Sequence, residues 1–169
     1  MIFLTVGSEL AFDRLVRAVD EWAKANNRKD IIGQIADPGP YGYWPKQIQW
    51  FKFTSAEEYS QYFDEAELII SHAGMGSIIT AALKKKPIII MPRRAELKET
   101  RNNHQLSTAD KFSTRKGIFI ATDEISMGTL LERWNLLLCH QPTEDTGEFA
   151  EERLIQAIRN FILRDPRII

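Results

Sequence analysis

The chain has 169 residues, 44% of them hydrophobic, with 22 basic against 23 acidic side chains and a formal net charge of -1. That length buries a core without staples, and the even charge leaves no basic footprint for nucleic acid. A single cysteine, Cys139, excludes an internal disulfide framework, fits a reducing compartment and reads as a small hydrophobe in a helix.

The first residues, Met1-Ile2-Phe3-Leu4-Thr5-Val6-Gly7, lack the basic flank of a signal peptide. No stretch reaches the roughly 18 apolar residues of a membrane span. Residues 2–6 read as a buried strand ended by Gly7, with Ser8 placed to cap the next helix. Phe12, Leu15, Val16, Val19 and Trp22 recur at helical spacing as far as Asn26-Asn27. A weaker strand over 30–35 leads into the turn-rich run ADPGPYGYWP, and residues 48–53 alternate as a half-buried strand. Tyr41, Tyr43 and Trp44 in that run suit either a partner interface or a cap on the domain's own core. Ser55 and Glu58 have capping-box spacing at the head of a helix.

Leu68-Ile69-Ile70 is a further buried strand, followed by a helix over 77–85 whose end carries Lys84-Lys85-Lys86, where cations suit the helix dipole. Residues 87–92 form a strand closed by proline. A helix over 101–114, a strand over 117–121 and a helix over 125–138 come next, and a last helix spans about 148–163. Strands with fully apolar interiors alternating with helices indicate a single α/β domain over 1–169, with a parallel sheet covered on both faces. Right-handed crossovers place every strand-to-helix loop at one sheet edge, where ligands of such sheets bind. The loops beginning at Gly7, Ser71 and Pro92 are therefore expected to face one crevice.

Each of these loops offers chemistry. Gly7 and Ser8 suit either a plain turn or close approach to a ligand. In Ser71-His72-Ala73-Gly74-Met75-Gly76-Ser77 the chain leaves a strand and enters a helix across two glycines, with Ser77 at the helix start. Helix N-terminal amides make such a turn an anion site, and a missing β-carbon lets a phosphate reach the backbone. His72 sits at the crevice edge, and Met75 suits packing. In the third loop Arg93 and Arg94 are candidate bidentate phosphate donors, while Asn103, His104 and Gln105 cluster groups that read sugar hydroxyls. No Walker lysine, N-terminal GxGxxG fingerprint, HExxH, Cys/His metal spacing or GxSxG elbow occurs. These absences disfavour a dinucleotide oxidoreductase, a metalloenzyme and a self-contained hydrolase.

The stretch LIISHAGMGSIITAALKKKPIIIMPRRAELKETRNNHQLSTADKF, with TVGS and FDRLV before it, resembles the C-terminal domain of glycosyltransferase family 28, whose larger members include MurG-type enzymes. It is also similar to the small catalytic subunits of split glycosyltransferases. These are the cytosolic half of the dolichol-pathway UDP-GlcNAc transferase and the PssE-type subunits of exopolysaccharide synthesis. The similarity runs from residue 2 to about 121.

The resemblance implies a Rossmann-like domain equivalent to the C-terminal half of a GT-B enzyme, transferring a hexose-type sugar from a UDP-sugar to a lipid-linked acceptor. It implies a membrane-anchored partner subunit that carries the acceptor half, cytoplasmic residence with recruitment to the membrane by that partner, and no metal or other cofactor. Residues 123–169 are a candidate docking region. By the same resemblance Gly74, Gly76 and Ser77 hold the diphosphate, and His72 lies beside it with a catalytic role. Asn103, His104 and Gln105 face the donor sugar or diphosphate, and Gly7 and Ser8 face the donor from the first loop. Relatives often carry an acidic residue for the ribose hydroxyls where this chain has Thr80. It also has Lys85 for a common glycine and Glu99-Thr100 for a common Glu-His. The Thr80 change keeps open a non-catalytic nucleotide-sugar-binding module.

Overall fold

A computed structural model describes residues 1–138; Cys139 and the helix expected over 148–163 lie outside the described residues. Six strands form one sheet: β1 (Ile2–Thr5), β2 (Ile31–Gln34), β3 (Gln49–Phe51), β4 (Leu68–His72), β5 (Ile88–Met91) and β6 (Ile118–Ile120). Their order is β3-β2-β1-β4-β5-β6 and every pairing is parallel. This is the doubly wound, Rossmann-like order, with its switch point between β1 and β4.

The apolar runs become strands because a parallel sheet covered on both faces buries every side chain. All four residues of β1 and of β5 are buried. Ile2 and Leu4 face a core shared with α1 (Asp13–Ala25), α5 (Glu124–Glu132) and the short α6 (Trp134–Leu137), through Leu15, Val19, Met127, Leu131 and Leu137. Phe3 faces the opposite core, shared with α2 (Ala56–Glu65), α3 (Met75–Leu83) and α4 (His104–Phe112), through Phe63, Ile78 and Ala109. There it stacks on Tyr62 and meets Tyr59 and Phe63 edge-on. No helix among the described residues is long and apolar enough to cross a membrane.

The capping box at Ser55 and Glu58 forms as expected. Three helix starts differ from the spacing. α1 begins at Asp13 behind Phe12, so Ser8 caps nothing. α3 begins at Met75, two residues early, which puts Ser77 inside its first turn, and α4 begins at His104. The helix expected over 125–138 breaks at Arg133 (φ -103°, ψ 12°), beyond which Trp134 lies under the Arg28 guanidinium at 4.4 Å.

Tyr43 packs against the domain's own core, whereas Trp44 lies on the surface-exposed Trp50. The Tyr43 hydroxyl donates to Asp20 at 2.7 Å, and Trp44 packs on Trp50 with ring centroids 5.1 Å apart. Tyr41 is fully exposed. Asp20 anchors the whole turn-rich run. It is buried on α1 and also accepts the backbone N–H groups of Lys46, Gln47 and Ile48 at 2.8–3.0 Å. Burial alone would raise its pKa, but these donors outweigh it and hold the carboxyl below its ordinary 3.8.

A depressed carboxylate pKa gives stability that is present above 3.8 and lost as pH falls through the folded value. Asp20→Asn should cost roughly 2 kcal/mol in urea denaturation at neutral pH, because buried donors lose their charged acceptor. The gap from wild type should narrow as the pH is lowered below the ordinary carboxylate value.

Candidate functional site

A cavity of about 740 Å³ opens at the carboxyl ends of the strands, at the switch point. The three expected loops do meet there. Of the residues singled out from sequence, Gly7, Ser8, His72, Gly74, Gly76 and Ser77 line it, as do Thr80, Arg93, His104 and Gln105. Met75, Arg94 and Asn103 do not. Met75 is half-exposed outside the cavity. Arg94 donates to the Thr122 carbonyl at 2.7 Å, and the Asn103 side-chain oxygen accepts the Ala95 N–H at 2.9 Å.

The turn after β4 is built around an imidazole. A β-carbon on Gly74 would overlap His72 Nε2, and one on Gly7 would lie 2.9 Å from His72 Cε1. Gly7 also has φ +82°, a region that side chains disfavour. Both glycines thus make room for His72, while Gly76 has nothing within 4 Å of a β-carbon position. Its open side is the cavity.

α3 starts without a side-chain cap, and the N–H groups of Met75, Gly76 and Ser77 have no acceptor among the described residues. Asn103 likewise gives α4 no side-chain cap, but Asn102 Oδ1 accepts the His104 N–H at 3.2 Å, and α2 closes its own first turn with the Ser55–Glu58 box. Uncapped starts leave donors and the positive end of the dipole for a ligand.

Burial first, and then the nearby Arg93 charge, pushes His72 from 6.5 down to about 4, with a hydrogen bond to the Thr5 backbone opposing. His72 is therefore a neutral imidazole near pH 7, with Nδ1 3.3 Å from Ser71 Oγ. Arg93 is buried, and both of its terminal guanidinium nitrogens donate to backbone carbonyls of the first and third loops. Burial pushes it down to about 10, with Glu99 opposing, so it stays a cation. Thr80 Oγ1 donates to the Gly76 carbonyl at 2.9 Å, which commits its proton and leaves its lone pairs. His104 is exposed, its Nδ1 held by Asn102 Oδ1, and Gln105 Oε1 accepts the Arg93 N–H at 3.0 Å.

Two parts of the site escaped the sequence reading. Gln34, at the end of β2, accepts the Thr5 hydroxyl at 2.7 Å and donates to the Gly7 carbonyl at 2.9 Å, which braces the first loop. A polar residue inside the run IIGQI was its signal. A fourth wall, Phe53 to Ala56 with Tyr59, comes from the β3–α2 loop, and the Tyr59 hydroxyl lies 3.4 Å from Ser77 Oγ. The helix cap at Ser55 had marked that loop as another strand-to-helix connection. Among the described residues no three His, Cys, Asp or Glu side chains gather as metal ligands.

A doubly wound sheet with an uncapped helix start at its switch-point crevice has the architecture on which nucleotides and other anions are bound. The chain belongs to the family of the glycosyltransferase family 28 C-terminal domain, whose model matches residues 1–160. It is 29% identical over 73% of its length to a UDP-N-acetylglucosamine--N-acetylmuramyl-(pentapeptide) pyrophosphoryl-undecaprenol N-acetylglucosamine transferase of Trichodesmium erythraeum (strain IMS101), covering 32% of that protein. It is 35% identical over 39% of its length to the UDP-N-acetylglucosamine transferase subunit ALG13 of Candida albicans (strain SC5314 / ATCC MYA-2876), covering 21% of it. The chain thus spans a third or less of these curated relatives. The crystal structure of Acinetobacter baumannii MurG shares the fold with a TM-score of 0.65 at 16% identity. The match covers 94% of this chain and 49% of that one.

The two glycines of the turn should respond oppositely to a methyl group. Gly76→Ala meets no atom and improves helix propensity by up to about 1 kcal/mol, so its melting temperature should hold or rise. Its affinity for inorganic pyrophosphate, measured by calorimetry, should nevertheless fall. Gly74→Ala must displace the His72 ring and should lose roughly 1–3 kcal/mol in denaturation.

Proposed function

We propose that this chain is the UDP-sugar-binding half of a glycosyltransferase, with the diphosphate seated at the start of α3. The observation that carries this reading is the set of unpaired amides at Met75, Gly76 and Ser77 in the first turn of α3, of which Gly76 and Ser77 line the cavity. Arg93 adds a buried positive charge. Family membership and the names of the relatives support UDP-N-acetylglucosamine or a related UDP-hexose as donor.

In this reading the α3 start and the Arg93 charge stabilise the negative charge that develops on departing UDP, and the protein supplies no metal. Phe53 and Tyr59 offer flat apolar surface to the base. The lone pairs of Thr80 remain for a ribose hydroxyl, and His104 and Gln105 lie across the cavity on the sugar side. His72, neutral, is a hydrogen-bonding neighbour of the diphosphate and not a cation. The acceptor half and the general base belong to a separate, membrane-anchored subunit, which recruits this chain to the cytoplasmic face and presents a lipid-linked acceptor. The 49% coverage of MurG and the subunit name of the ALG13 relative support that division. The segment 123–169 is the docking region assigned to it in this reading, with the buried faces of α5 and α6 packed on this domain's own core.

Calorimetry with UDP, UDP-N-acetylglucosamine and UDP-glucose should show binding, with NADH silent; silence toward all three uridine ligands would sink the reading. The pH profile follows from His72. With its pKa near 4 it keeps one protonation state from about pH 5 to pH 8, so UDP-sugar affinity should show no inflection from it. A UDP-sugar suits the test because its esterified diphosphate holds no proton in that range. An inflection near pH 6.5 that disappears in His72→Gln would contradict a neutral imidazole.

A further inference from the structure

We infer that Arg93 is a positioning residue: a buried cation that hangs the first loop in place as a wall of the cavity and holds positive charge beside the diphosphate, with both terminal guanidinium nitrogens committed to backbone carbonyls. This rests on the UDP-sugar reading above. The loop from Ser8 to Ala11 contributes Ser8, Glu9 and Leu10 to the cavity. Among the described residues, the only hydrogen bonds these four residues receive or make are two from Arg93, to the carbonyls of Leu10 at 2.6 Å and Ala11 at 2.7 Å. A third goes to the Val6 carbonyl at 2.9 Å, just before the loop, and a longer contact reaches the Glu99 carbonyl at 3.4 Å.

The other side of the guanidinium lies over the Phe12 ring, 4.5 Å from its centroid, and the Arg93 backbone N–H is held by Gln105. One side chain from the end of β5 therefore ties together the β1 loop, the first residue before α1 and the third loop. A planar fork can reach several carbonyls at once, which a lysine ammonium cannot do with the same geometry.

The charge is as telling as the geometry. Arg93 has no carboxylate within ion-pair distance among the described residues. The nearest candidate, Glu99, is already taken by Arg14, which donates to both of its oxygens at 2.7 and 2.9 Å, and by the Arg94 N–H. Neutral carbonyls solvate the Arg93 cation without cancelling it, so its charge stands without a carboxylate partner at the cavity wall. Buried charge interacts far more strongly than surface charge does at the same distance. The same charge acts on His72 at the cavity wall, where it adds to burial in holding the imidazole neutral.

The test compares wild type, Arg93→Lys and Arg93→Met at pH 8, with UDP and uncharged uridine as probes and amide hydrogen exchange as a ligand-free readout. Wild type should bind UDP; if it does not, the UDP-sugar reading fails while the exchange experiment still judges the loop pin. Arg93→Lys keeps charge and loses the fork. Exchange at residues 8–11 should quicken, and UDP and uridine should weaken together by about tenfold as the wall is misplaced. Arg93→Met loses both, so UDP should weaken by about a further tenfold beyond uridine, the part that belongs to charge. Equal losses for UDP and uridine in Arg93→Met would refute the charge role. Unchanged exchange and affinity in Arg93→Lys would refute the pin, and that variant decides the matter if Arg93→Met does not fold.

Discussion

The imidazole of His72 is wedged where two β-carbons would otherwise stand, and the geometry of the crevice follows from that contact. β1 and β4 are neighbours at the switch point, so their loops leave the sheet side by side. With glycine at 7 and 74 the ring fits between them and the loops close on a common floor. The price is a left-handed backbone at Gly7 and a histidine stripped of its proton by burial. Both are consistent with a floor built to be neutral and rigid, over which positive potential comes from helix starts and from Arg93 below.

Much of this was legible in the sequence because of the kind of sheet involved. Strands buried on both faces read as unbroken apolar runs, and β1, β4 and β5 stand out for that reason. Helix starts were legible only where a side chain caps them. Ser55 with Glu58 marks α2 to the residue. α3 has no such mark, since Gly74 caps nothing and the start is kept open, and the start expected at Ser77 falls two residues late. Ser8 misled as a helix cap, since the segment after it is neither capped nor helical and is held from outside by Arg93. The fourth wall was missed for a different reason. All strand-to-helix loops of a parallel sheet share one edge, but which of them stand around the switch point depends on strand order, and local periodicity does not encode it.

Adjacent residues with the same chemistry show the same limit more sharply. Arg93 and Arg94 follow one strand and look interchangeable in sequence. On extended backbone successive side chains leave on opposite sides, and Arg94 has φ -119° and ψ 129°. Arg93 is sent under the β1 loop and buried, while Arg94 is sent across to the Thr122 carbonyl. The residue type pointed to positive charge at the crevice, and the buried Arg93 cation does line the cavity. It misplaced the contact, because donors already taken up by backbone carbonyls leave little for a phosphate.

The glycines carry the last distinction. Gly74 and Gly76 stand one residue apart and read alike, yet the protein needs only the first. Gly74 answers to His72; Gly76 answers to nothing in the fold, since a methyl group there touches no atom. Openness alone does not point to a ligand, because Gly39 and Gly128 are equally free. Gly76 differs in its position: it lies in the first turn of an uncapped helix and on the wall of the cavity. Glycine in a helix costs stability relative to alanine, and no internal packing here offsets that cost. A residue that the fold does not require, at a helix start whose amides remain unpaired beside the cavity, is best explained by something outside the chain that must come close to the backbone.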